Sequence, residues 1–112
     1  MADQAKRVAG FLKSLASEHR LLILCRLAEG EASVAQLIAA TGVAPTSMSQ
    51  HLAKLKGEGV VAVRRDHRSL HYRIDHPAAL EVMRTLYRHF CAEAEERPEG
   101  PGAGPGGRLS PG

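Results

Sequence analysis

From Asp3 to Ala16 the apolar residues Val8, Phe11, Leu12 and Leu15 fall three or four apart, the period of one helix face. Ser17, followed by Glu18, has the side chain of a helix N-cap, and Gly30 ends the run that follows. In that run Leu21, Leu22, Ile23, Leu24, Cys25 and Leu27 make the helix apolar nearly all round, which predicts a central position. Ser33 caps a short third helix, "VAQLIAAT", that stops at Gly42. Pro45 suits the first position of a fourth, "PTSMSQHLAKLKGEG", whose buried face is Met48, Leu52 and Leu55. The period then changes. "VVAVRRD", "HRS" and "LHYRID" read as strand, tight turn and strand. Pro77 opens a long helix to about Glu95, striped by Leu80, Met83, Leu86, Tyr87 and Phe90. The expected fold is mainly α with a small β-hairpin: four helices, the hairpin and a final helix.

Residues 97–112, "RPEGPGAGPGGRLSPG", have no periodicity and too little apolar content to offset the entropy of ordering. They read as a disordered tail on a domain of residues 1–96. The 112-residue chain fits one small domain. Aromatic residues are 4% and Trp is absent, so Leu, Val, Ile and Ala must build the core. No apolar run approaches a membrane span, and "MADQAKRVAG" lacks the apolar stretch of a signal peptide, which predicts a cytoplasmic protein. In that compartment the two cysteines, Cys25 and Cys91, are buried thiols, metal ligands or redox groups rather than a disulfide framework.

Charge sharpens the picture. The whole chain carries +3, but residues 43–73 hold six Lys and Arg against two carboxylates, a net +4. Four of the six, Arg64, Arg65, Arg68 and Arg73, lie in the hairpin. Helices three and four, joined by "TGVA", form a helix-turn-helix pattern with the hairpin as its wing. The outward face of helix four carries Thr46, Ser47, Gln50 and Lys54, with Ser49 beside them. Short hydrogen-bonding side chains near a helix N-terminus suit base edges and phosphates in the major groove, and wing cations suit phosphates. These patterns also fit a small helical domain with a solvated basic hairpin.

The stretches "LASEHRLLIL" and "TSMSQHLAKLKGEGVVAVRRDHRSLHYRI" resemble, in order and separation, the ArsR family of bacterial winged-helix repressors. The resemblance covers roughly residues 5–95. It implies a winged helix-turn-helix homodimer, joined mostly through its first and last helices. Such a dimer represses transcription from a palindromic double-stranded operator and dissociates when an inducer binds. It places Thr46, Ser49 and Gln50 at groove-contacting positions and Arg65 and Arg68 on the wing. Metal-sensing members often carry Cys on the third helix or alternating Asp and His on the last. Here "VAQLIAA" has neither Cys nor His, and Pro77 follows Asp75 and His76 where a second ligand would be expected, so neither pattern is complete.

Cysteine in an apolar helix is ordinarily inert core. Arg26 beside Cys25, and Arg88 three residues before Cys91, favour the reactive thiolate, while Glu95 opposes it. The contexts "LILCRLAEGEASV" and "LYRHFC" resemble the dithiol branch of the family, the SqrR and BigR type. That implies a sensor in which reactive sulfur species such as persulfides link the two thiols within a subunit, with no cofactor. A metal- or arsenite-responsive repressor is the alternative. The histidines read as ordinary: His19 in a capping turn, His51 on helix four, His67 and His71 flanking the wing turn, none paired at i, i+4 on a helix. His89 and Cys91, two residues apart on a helix, point away from each other, which excludes them as a nucleophile and base and argues against an enzyme.

Overall fold

The structure is a computed structural model that describes the backbone of residues 1–92 and the side chains of residues 1–90. The expected tail, and the part of the final helix beyond Ala92, lie outside the described residues. The elements are α1 (Ala2–Leu15), α2 (Glu18–Leu27), β1 (Ala32–Ser33), α3 (Val34–Thr41), α4 (Pro45–Gly57), β2 (Val61–Asp66), β3 (Ser69–Ile74) and α5 (Pro77–Leu86), followed by π-helical turns over Tyr87–Ala92.

The helix boundaries follow from local chemistry. The Ser17 hydroxyl accepts the Arg20 amide at 3.4 Å and so caps α2. Ser33 and Gln36 form a reciprocal capping box at the start of α3, with bonds of 3.1 and 2.8 Å. Pro45 occupies the first turn of α4, where its missing amide costs nothing. At the far end of α4 the Val60 amide reaches the Leu55 carbonyl and the Gly59 amide the Lys56 carbonyl, both at 3.0 Å, with Gly59 at φ +78°. That is a Schellman cap, and it needs glycine at the left-handed position. It also turns Val60 back onto Leu55, both fully buried.

The core is one cluster: Leu15, Ile23, Leu24, Leu27, Ala32, Leu37, Val43, Met48, Leu52, Leu55, Val60, Val61, Ala79 and Met83. Each of α1 to α5 contributes to it, with β1 and β2, and α2 packs against both α3 and α5.

The structure departs from the sequence expectations at four points. First, the hairpin is part of a three-stranded antiparallel sheet ordered β1-β3-β2, with Ala32 opposite Tyr72 and Ser33 opposite His71. A two-residue strand is too short to leave a period. Second, the wing turn is two residues, His67 and Arg68, since Ser69 already pairs with Asp66. His67 alone has a positive φ, +59°, the sign pattern of a type II′ hairpin turn. Third, α2 is not covered all round: Ile23, Leu24 and Leu27 are buried, but Leu21 and Leu22 are 37% and 41% exposed. Fourth, α5 changes to π geometry after Leu86, so each turn takes more residues. Phe90, on the stripe of a regular α-helix, rotates off it and is 64% exposed.

Candidate functional site

The α4 helix presents two chemically distinct faces. Met48, Leu52 and Leu55, at i, i+4 and i+7, are 2% exposed or less and fix the helix on the core. Thr46, Gln50 and Lys54 repeat every four residues on another face and are exposed, as is Ser49; Ser47 is half-buried. The structure thus brings the five expected groove residues onto one helix, four of them open to solvent.

The helix is held from behind by a polar contact that the sequence did not announce. Arg20, on α2, donates from Nε to Nδ1 of His51 at 3.4 Å and from Nη1 to the Ser14 carbonyl at 2.9 Å. The His19 ring stands edge-on to the His51 ring, centroids 5.5 Å apart. Burial first, then the charges of Arg20 and His19, hold His51 below the usual histidine range. Neutral His51 keeps an open lone pair on Nδ1 for the Arg20 bond. The end of α1, the start of α2 and the middle of α4 are joined there.

In the wing, Arg65 and Arg68 are exposed, Arg68 in the turn itself. Arg64 is exposed as well, but its guanidinium grips the Glu31 carboxylate: Nε lies 3.0 and 2.9 Å from Oε1 and Oε2, and Nη2 lies 2.8 Å from Oε1. Glu31 precedes β1 and stands 33 residues from its partner. No spacing rule reaches that far. His76 caps α5 by accepting the Ala79 amide at 3.4 Å and stacks on Phe11 of α1 at 4.7 Å. Among the described residues, no three His, Cys, Asp or Glu side chains gather into a group that could hold a metal.

Cys25 is half-buried on α2. Cys91 falls in the π-helical turns that extend α5, and its side chain lies outside the described residues. Among the described residues, no helix is long and apolar enough to cross a membrane.

Two short helices at a tight turn, followed by a two-stranded wing, make this a winged helix-turn-helix. The profile described as "Bacterial regulatory protein, arsR family" matches residues 17–63. The biofilm growth-associated repressor of Xylella fastidiosa strain 9a5c is 35% identical over 96 residues, covering 86% of this chain and 84% of that protein. Reduced HlyU from Vibrio cholerae superposes with a TM-score of 0.78 at 31% identity, over 81% of this chain and 96% of that one. The homodimeric winged helix-turn-helix DNA-binding domain of Mb0332 from Mycobacterium bovis gives 0.68 at 33% identity, over 84% and 85%. The chain belongs to the ArsR family of bacterial regulatory proteins. Its relatives and structural neighbours are DNA-binding transcriptional regulators, not enzymes.

Proposed function

We propose that the chain is a cytoplasmic, homodimeric transcriptional repressor that releases its operator when Cys25 and Cys91 become linked by reactive sulfur species or oxidation. The α4 helix enters the major groove of a palindromic operator, with Thr46, Ser47, Ser49, Gln50 and Lys54 toward the bases and nearby phosphates. Arg65 and Arg68 of the wing meet flanking phosphates. This half rests on the exposed polar face of α4, on a repressor among the relatives and on a homodimeric neighbour.

The observation that carries the thiol half is the packing of α2 against α5. One helix bears Cys25, and the extension of the other bears Cys91. A cysteine thiolate attacks the outer sulfur of an organic persulfide, takes it up as Cys–S–SH and expels the organic thiolate. The second cysteine thiolate then attacks the inner sulfur of that group, forms Cys–S–S–Cys and expels hydrosulfide. Two electrons pass from the thiols to the transferred sulfur. If the second cysteine is first persulfidated too, the bridge retains an additional sulfur. The linked form favours an arrangement of the dimer that fits DNA poorly, because two recognition helices must sit one DNA turn apart, about 34–36 Å.

The test is a gel-shift series on the reduced parent, Cys25→Ser and Cys91→Ser. Persulfide should release the parent and neither variant, while all three bind operator equally when reduced. Mass spectrometry of the released parent should show the bridge. Release by Zn²⁺ or As(III) under full reduction would replace this reading with the metal-responsive one. A Cys25→Ser variant that still lets go on persulfide treatment would defeat it.

A further inference from the structure

We propose that Glu31 is the internal counter-ion of Arg64, so that Arg64 braces the base of the wing and contributes no phosphate contact. Glu31 then acts as a positioning residue that sets how many wing cations the DNA meets. This rests on the wing reading above and corrects it at one residue.

The sheet register separates the wing arginines. Arg64 pairs with His71, and Ala62 with Arg73, while Val61, Val63 and Arg65 pair with Ile74, Tyr72 and Leu70. Side chains of paired antiparallel residues share a sheet face, and successive residues alternate. Arg64, His71 and Arg73 therefore lie on one face. Arg65 lies on the other, in line with Val61 and Val63, and Arg68 is in the turn. Glu31 meets the first group, and the positive charges it feels are Arg64, His71 and Arg73.

The contact is a two-pronged guanidinium–carboxylate fork, the geometry that fixes direction as well as distance. The Arg64 hydrogen bond, followed by the nearby positive charges, keeps the Glu31 carboxyl below its usual range, so it stays ionised at neutral pH. The two side chains are 50% and 31% exposed, so water screens the pair and it adds little to stability. Its consequence is placement and charge. The fork ties the third rung of the hairpin to the chain just ahead of β1. A cation already neutralised by a carboxylate releases no counter-ion from DNA unless that carboxylate is first displaced.

The experiment is the salt dependence of operator binding by the reduced full-length protein, read by fluorescence anisotropy. Arg65→Ala and Arg68→Ala should each flatten the plot of log K against log salt by about 1, as a lost phosphate contact does. Arg64→Gln should leave the slope at the parental value. Glu31→Gln should steepen it by about 1, because Arg64 is released to a phosphate. The double variant Glu31→Gln/Arg64→Gln should return to the parental slope. All five variants are at exposed positions, and thermal melting checks that they fold. An Arg64→Gln slope as flat as that of Arg65→Ala would overturn the proposal, as would a Glu31→Gln slope equal to the parent's. Parental slopes in Arg65→Ala and Arg68→Ala would overturn the wing reading itself, and the masking of Arg64 with it.

Discussion

The helices α1 and α4 are nearly the same length, 14 and 13 residues, and both are amphipathic. They differ in what becomes of the apolar side. In α4 the three large apolar residues are all buried within the chain, and the outward face is polar. In α1 only Leu15 of the apolar stripe is fully buried, and Val8 and Leu12 remain 54% and 50% exposed. The apolar side of α4 is saturated inside the monomer, whereas that of α1 is half-used. The outward face of α4 fits a polar, charged polymer, and that of α1 fits a second apolar surface. Leu21, Leu22 and Phe90 are further large apolar side chains without full cover. The proposed function assigns the first face to the operator, and the interface through first and last helices that the family resemblance implies would give the second to another copy of the chain.

Substitutions on the two helices should therefore fail in different ways. The largest effect is expected at Leu52→Ala, which hollows the saturated side of α4 and should cost about 2–5 kcal/mol in urea denaturation. DNA binding should fall only as the folded fraction falls. The counterpart on α1 is Leu12→Glu. It should keep a helical circular-dichroism spectrum but sediment as a monomer, with operator affinity down about 100-fold as one of two reading heads is lost. A Leu12→Glu variant that sediments as a dimer would remove α1 from the interface and collapse the comparison. A smaller effect belongs to the polar face. Gln50→Ala should relax discrimination at one base position by about 1–3 kcal/mol in competition anisotropy, with non-specific binding unchanged.

The smallest effect tests the contact that joins the two helices through Arg20. The folded chain takes up a proton on His51 only below the pH at which the unfolded chain does, near 6.5. The unfolded state thus binds more protons between those two values, and stability falls as pH drops from about 6.5 toward the folded value, with no change above. Asn retains an acceptor near the position of Nδ1 but does not titrate. His51→Asn should show a shallower loss of stability between pH 7 and pH 5 than the parent in parallel urea titrations. Equal losses would mean that His51 is not the group responsible.

What the sequence shows about this fold is what depends on near neighbours. Ser17, Ser33, Gly42 and Pro45 mark helix ends because a cap acts within three or four residues. The outward face of α4 is visible because Gln50 is two residues from Met48, nearly half a helical turn of rotation away. The change from 3.6 to 2 at Val60 announces the wing. The rest depends on distant partners or a changed period. The strand β1 exists only because β3 pairs with it. Phe90 leaves its stripe when the helix widens after Leu86. The exposure of Leu21 and Leu22 reflects how far the core reaches round α2, which composition does not encode. Within the site, strand alternation sets Arg64 and Arg65 on opposite faces, but nothing in the sequence says that Glu31 arrives beside Arg64. Cys25 is placed on its helix by the apolar run around it, but thiol chemistry leaves no spacing signature.

Ser33 belongs to two elements at once. Its backbone is the end of β1, paired with His71 of the wing, and its side chain caps α3, the first helix of the reading head. One residue thus joins the wing, which the proposed function sets against phosphates, to the helix that leads into α4. The base of the wing and the start of α3 therefore share a residue and have no linker between them. In the dimer of the proposed function, a signal relayed to this head would shift wing and α3 together and so change their distance from the second copy.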